Sequence, residues 1–295
     1  MLSSLLLTDF PSGSSINYYK GKLYLIGDDA NDILVMDRDY QTLDTINVFS
    51  YPDARIPKPV KADFETSCIV KEKGLDHLLV LGSASRSNRM EGILIPLYEL
   101  YEPELSTNYS RFTNIHFGDF MARLKNSGEI NIEGSSVVGN HFLLSNRSNH
   151  SNPDNILIIT SNDFWKVQSE ASIAISKVVL PNNDSRIIGV SELCYVESKD
   201  VLLMSLSSEM TANAYDDGVI GDSFIGWIDS ISTKLSQPEI ELSAMFNLAQ
   251  NNPLFSGEKI EGVCVESIDN DVLTVHLVSD NDQGHSKLFK LKITF

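Results

Sequence analysis

Three short stretches place a glutamate at the threshold of a small, apolar run: DFETSCIV (63–70), INIEGSSVV (130–138) and KIEGVCVE (259–266). Two further stretches, SGSSINYY (12–19) and IGVSELCYV (188–196), superpose on them with serine in the same place. In this register Ser14, Glu65, Glu133, Ser191 and Glu261 form one column. Asn17, Cys68, Ser136, Cys194 and Cys264 form a second, three positions on. The first column offers oxygen and neither imidazole nor thiol. If its members converge, they suit a hard cation such as Ca²⁺, completed by water and by main-chain carbonyls at the two serines. Carboxylates about 5 Å apart at an effective dielectric near 20 repel by roughly 3 kcal/mol. They must therefore protonate, line a water-filled acidic channel, or hold a cation.

The elements around these stretches decide whether they converge. Short runs such as KLYLIG, HLLVLG, HFLLS, NILIIT and VLTVHLV are bounded by Gly, Asn, Asp and Ser, the pattern of strands. One stretch reads as helix, FGDFMARLKN (117–126). The column recurs at intervals averaging about 60 residues, the size of a four-stranded propeller blade with a long loop. Five such units fill residues 1–295, which predicts an all-β, five-bladed β-propeller forming one domain, with one short helical insertion in the second blade. The fourth blade reads SELCYV, VLLMSL, FIGWID and EIELSAMF. The fifth reads EGVCVE, VLTVHLV and KLFKLKITF, one strand short, and the N-terminal LSSLLLT supplies the missing outer strand.

In a propeller the first strand of each blade lines the axis, so the column gathers at one mouth of the channel. The loops after the second strands return to that mouth. They are long and polar: GDDAND (27–32), GSASRSNRMEG (82–92), SNRSNHSNPDN (145–155), SSEMTANAYDDGVIGDS (207–223) and SDNDQGHS (279–286). Such loops on a rigid scaffold are where function sits. The three cysteines share one repeat position without CxxC spacing, which indicates packing of a small inner strand and not a zinc or disulfide framework.

The net charge is −17, from 23 basic and 40 acidic residues. That field repels phosphate backbones and anionic lipid and argues against nucleic-acid and membrane partners. As written the chain reads as cytoplasmic, and as secreted or periplasmic if a signal was removed. A monomer is expected. There is no GxSxG, GxGxxG or P-loop.

The order Ser, Glu, Glu, Ser, Glu over five inner strands resembles the calcium-activated nucleotidase (apyrase) family. SSINYYKGKLYLIGDD (14–29) is similar to its S-D-L-I-V-x-N-G-K-L-Y…D-D stretch, GVSELCYV to its serine blade, and KIEGVCVE to its Y-E-G-I-E-F end. HFLLSNRS (141–148) is similar to its F-F-L-P-R-R-A-S run, keeping the second arginine as Arg147 with Asn146 at the first. The family's acidic T-D-L-D segment has only LLLTDF as an echo. The resemblance implies a central Ca²⁺ held by Glu65, Glu133 and Glu261 and by main-chain carbonyls at Ser14 and Ser191.

Two functions follow. One is a metal-dependent hydrolase of a phosphate ester or anhydride. The ion would hold phosphate oxygens, and Arg147 with Arg86 or Arg89 would clamp the anion. Asp28, Asp29 or Asp32 would act as general base. His150 and His285 lie in loops on the same face. The other is a non-enzymatic propeller in which the ion is structural and the loop face binds a small anionic ligand, a sugar, a peptide or a protein. On that reading the loop arginines pair with neighbouring acids. A lactonase- or phytase-like propeller would need a sixth blade, and the repeats give five.

Overall fold

The second strand of each blade is apolar on both faces, because a neighbouring blade packs against each side. His77 to Gly82 are all buried, as are Phe142 to Asn146. Outer strands lose this covering. In Thr42–Asn47 only Ile46 is buried. The structure is a computed structural model, and it describes residues 1–97, 112–124, 128–181, 186–210, 219–280 and 284–294. The loop at 207–223 and the one at 279–286 lie partly outside the described residues, as do the last two positions of the helix expected at 117–126.

The chain starts with β1 (Ser3–Leu7) and then builds blade one from β2 (Gly13–Tyr19), β3 (Lys22–Gly27), β4 (Asp32–Asp37) and β5 (Thr42–Asn47). Blade two is β6 (Phe64–Glu72), β7 (Leu75–Gly82), β8 (Glu91–Pro96) and β9 (Thr113–His116). The expected helix follows β9 as one α-turn, α1 (Gly118–Met121), and a 3-10 turn (Ala122–Leu124). It drives Phe117, Phe120, Met121 and Leu124 into the core between blades two and three.

Blade three is β10 (Ile132–Val138), β11 (His141–Asn146), β12 (Asn155–Ser161) and β13 (Ala174–Val179). Blade four is β14 (Ile188–Val196), β15 (Val201–Met210), β16 (Val219–Asp229) and an outer strand, β18, described below. EIELSAMF is not one strand. β17 (Glu239–Glu241) adds to blade three, parallel to β13, and β18 (Ala244–Asn247) closes blade four against β16. The chain switches sheets at Leu242 and Ser243, whose amides donate to Val179 O and Trp227 O at 2.9 and 2.8 Å. Ile240 and Leu242 bury between the two blades, which fixes the switch.

A second α-turn, α2 (Leu248–Asn251), leads to blade five: β19 (Lys259–Asp269), β20 (Val272–Asp280) and β21 (Ser286–Thr294). As expected, β1 completes it, pairing antiparallel with β21 from Ser3↔Lys290 to Leu7↔Ser286. β2, β6, β10, β14 and β19 pack in sequence and β19 returns to β2, so the inner strands form a closed ring. Five apolar clusters fill the five seams between blades. Two of the tight hairpins at the far end use left-handed pairs, Lys20–Gly21 (φ 46° and 86°) and Lys73–Gly74 (φ 51° and 80°), a turn that matches strand twist.

Candidate site at the channel mouth

Each inner strand opens with a β-bulge. The pairing register slips between Gly13 and Ser15, Phe64 and Thr66, Ile132 and Gly134, Val190 and Glu192, and Ile260 and Gly262. The extra residues are Ser14, Glu65, Glu133, Ser191 and Glu261, the whole first column. A bulge leaves one residue unpaired and re-aims its side chain. The inner strands begin where the second strands end, with Phe64 paired to Gly82 and Lys259 to Asp280. The loops after the second strands therefore surround the column.

The ring is divided between internal cations. Arg147, just past β11, is buried at 6% exposure. Its Nη1 lies 3.3 Å from Glu133 Oε2 and 3.4 Å from both Glu261 Oε2 and Ser191 Oγ. Its Nη2 donates to Ser207 Oγ at 2.8 Å. Lys259 Nζ takes the other Glu261 oxygen at 2.8 Å. Burial tends to raise Glu261, but Lys259 and Arg147 outweigh it and hold the carboxyl below its usual range. Burial pushes Glu133 up to about 7 against the pull of Arg147. A Ca²⁺ ion at this part of the ring does not fit the residues present, because a guanidinium nitrogen already sits between its donors.

Glu65 stands apart. Its attracting charge is Lys61 and not Arg147. It lies with Asp28 and Asp63 at the seam of blades one and two, one oxygen from each within 4.8 Å of the others. Burial, then Asp63, Glu133 and Asp28, raise its pKa well above the usual range. Asp63 is held in left-handed backbone (φ 57°), which aspartate tolerates better than most residues. Its Oδ2 accepts from Arg89 Nη1 at 2.7 Å and from Ser83 Oγ at 2.5 Å. Lys61 Nζ sits 2.8 Å from Asp63 Oδ1 and also bonds Asp28 Oδ2. Burial raises Asp28 to about 6 despite Lys61. Asp28 Oδ1 is buried with no hydrogen-bond partner. Ca²⁺ at 2.3–2.6 Å from each ligand separates its oxygens by up to about 5 Å, so the spacing of these three carboxylates suits a hard ion that displaces the Lys61 ammonium.

The remaining candidates take other places. Asp29 pairs with Arg55 (2.7 Å) and keeps a buried Oδ1 without a hydrogen-bond partner. Asp32 accepts from Asn47 Nδ2 at 2.7 Å, away from the ring. Arg89 is 2% exposed and turned onto Asp63. Arg86 and His150 are exposed. His285 Nδ1 lies 3.1 Å from Thr8 O at the blade-five closure. Ser14 Oγ donates to Phe64 O at 2.5 Å, tying blade one to the residue before Glu65.

One residue absent from the sequence reading is central. Glu192, next to the column serine, is 1% exposed. Its carboxylate accepts from Ser15 Oγ, Thr66 Oγ1 (2.9 Å), Ser135 N (3.2 Å) and Leu193 N (3.0 Å). Four blades thus meet on one side chain. Burial pushes the thiols of Cys68 and Cys194 up to about 12 and raises that of Cys264 well above its usual range, so all three are protonated packing residues.

A family model described as a family of unknown function, DUF6929, matches residues 9–293. No curated protein matches the sequence. Among solved structures the chain is similar to the glutaminyl cyclase of Myxococcus xanthus, at 8% identity over 99% of this chain and 96% of that one, with a TM-score of 0.53. It is also similar to a virginiamycin B lyase from Staphylococcus aureus, at 10% identity over 98% of each chain, with a TM-score of 0.42. The likeness to the glutaminyl cyclase, at this identity, shows the fold alone. The comparisons show no link to the calcium-activated nucleotidases, whose resemblance stays one of inner-strand motifs. With nearly its whole length matched, this five-bladed propeller belongs to the DUF6929 family.

Proposed function

We propose that the protein is a non-enzymatic binding propeller that takes up a hard divalent cation, Ca²⁺ before Mg²⁺, through Asp28, Asp63 and Glu65. The observation that carries this is the pairing of three close carboxylates with an acceptor, Asp28 Oδ1, that is buried without a hydrogen bond. The flexible geometry of Ca²⁺ tolerates such an irregular donor set better than the octahedral demand of Mg²⁺. The ion ties blade one to blade two beside the Ser14–Phe64 bond. The surrounding loop face is the surface for a small anionic ligand or a protein.

The hydrolase alternative needs arginines that meet a phosphate. Arg147 and Arg89 are instead buried against carboxylates, which leaves only the exposed Arg86 of the three to meet one and favours the binding reading. Calorimetric titration with CaCl₂ and MgCl₂ and melting in EDTA test the proposal. Ca²⁺ should bind and raise Tm, Glu65→Gln should weaken binding at least about tenfold, and nucleoside diphosphates and simple phosphate esters should not turn over. Absence of binding, or Ca²⁺ binding unaffected by Glu65→Gln, would refute the site. Ca²⁺-dependent turnover lost in that variant would replace it with the hydrolase.

A further inference from the structure

The other half of the ring has a different occupant. We propose that Arg147 is the built-in counter-ion of blades three, four and five, and that the Glu133–Ser191–Glu261 side of the ring is a cation site filled by the protein's own guanidinium. Its Nη1 stands 3.3–3.4 Å from one oxygen of each of these three residues, and Nη2 reaches Ser207. One side chain thereby joins the inner strands of three blades, as a bound metal would. A planar guanidinium, charged at any relevant pH, suits such a multidentate buried position better than an ammonium.

A second feature shows that the path to the ring is built for this side chain. Gly189, in β14, faces the Arg147 shaft. A Cβ added there would lie 2.5 Å from Arg147 Cγ and 2.7 Å from Nε. Any other residue at 189 would push the arginine out of its lane. The local requirement is therefore a glycine on blade four matched to an arginine from blade three.

The inference is independent of the Asp28–Asp63–Glu65 site, and separate variants read the two. In the wild-type chain Glu261→Gln should lower Tm while leaving the number of bound Ca²⁺ ions unchanged. Arg147→Ala should be less stable in EDTA, bind one Ca²⁺ more than wild type, and gain about 5 °C or more in Tm at Ca²⁺ a hundredfold above Kd. Adding Glu261→Gln to Arg147→Ala should abolish the extra ion, whereas adding Glu65→Gln should not. Gly189→Ala should reproduce the loss of stability in EDTA. Folding of Arg147→Ala only in the presence of Ca²⁺ would also support the assignment. Loss of a bound Ca²⁺ from wild type on Glu261→Gln would overturn it. So would a folded Arg147→Ala variant that binds no additional ion. Should Arg147→Ala fail to fold under all conditions, the Glu261→Gln comparison decides alone.

Discussion

The hydroxyl of Thr66 in blade two lies 2.9 Å from the carboxylate of Glu192 in blade four. These blades are not neighbours in the ring, so the Glu192 side chain spans the axis. It also meets Ser15 of blade one and the Ser135 amide of blade three. Burial pushes its pKa from the usual 4.5 up to about 8, against the pull of these donors. Between those values the native state keeps a proton that the unfolded chain has released, so stability falls as pH rises through the window and levels off above it. Each unit is worth about 1.4 kcal/mol, so the fall amounts to a few kcal/mol. Glu133, at about 7, and Asp28, at about 6, add to it at lower pH. Glu65 is raised as well, so the Glu192 share is read as the difference between wild type and Glu192→Gln above pH 7, up to the levelling near pH 8. Urea unfolding should show a decline there for wild type and a flatter profile for Glu192→Gln. Equal slopes would exclude Glu192 as the source.

The legible parts of this site are those that repeat. Five copies of one bulge put Ser14, Glu65, Glu133, Ser191 and Glu261 in register, and that column, with its spacing, fixed the blade count. Glu192 was hidden because Ser191 already satisfied the column, and neighbours in a regular strand face opposite ways. The bulge suspends that rule. Asp63 was hidden beside Glu65 in DFE, where only its left-handed backbone turns it to the seam. The direction of Arg147 is set by Gly189 on the next blade, a contact no local motif contains. EIELSAMF reads as one strand because nothing in its pattern marks Leu242 as the point where it changes sheets.

Gly134 follows the column glutamate in INIEGSSVV, and close packing explains it. A Cβ there would lie 2.7 Å from Ser145 Oγ and 3.0 Å from the Glu192 backbone of the next blade. The serine can turn away, but the main chain cannot. Gly134→Ala should destabilise the protein by about 1–3 kcal/mol, as overpacking does. The midpoint of urea unfolding measures it, and an unchanged midpoint would show that the inner strands have slack at this level.

Closure of the ring rests on β1. Leu5 and Leu7 pack on the core shared by blades five and one, and the strand covers the outer edge of β21. Removing residues 1–7 should lower Tm and leave an open edge that recruits another chain. Light scattering after gel filtration should show self-association growing with concentration. A truncated protein with unchanged Tm and mass would mean that blade five is stable with three strands.

Lys61 makes the opposing demands at the seam measurable. Its ammonium, 7% exposed, is the counter-charge of Asp28 and Asp63, and it occupies space a cation would need. Lys61→Met keeps most of the side-chain length and removes the charge. Two effects of opposite sign should follow. In EDTA the variant should be less stable by about 3 kcal/mol, because two buried carboxylates lose a partner. Its Ca²⁺ affinity should rise by about tenfold or more, equivalent to about 1.4 kcal/mol, because the ion no longer displaces a tethered competitor. The Ca²⁺-induced gain in Tm should therefore exceed that of wild type. Weaker or unchanged Ca²⁺ binding in a folded Lys61→Met protein would mean that Lys61 does not compete, and that any bound ion lies away from Asp28, Asp63 and Glu65.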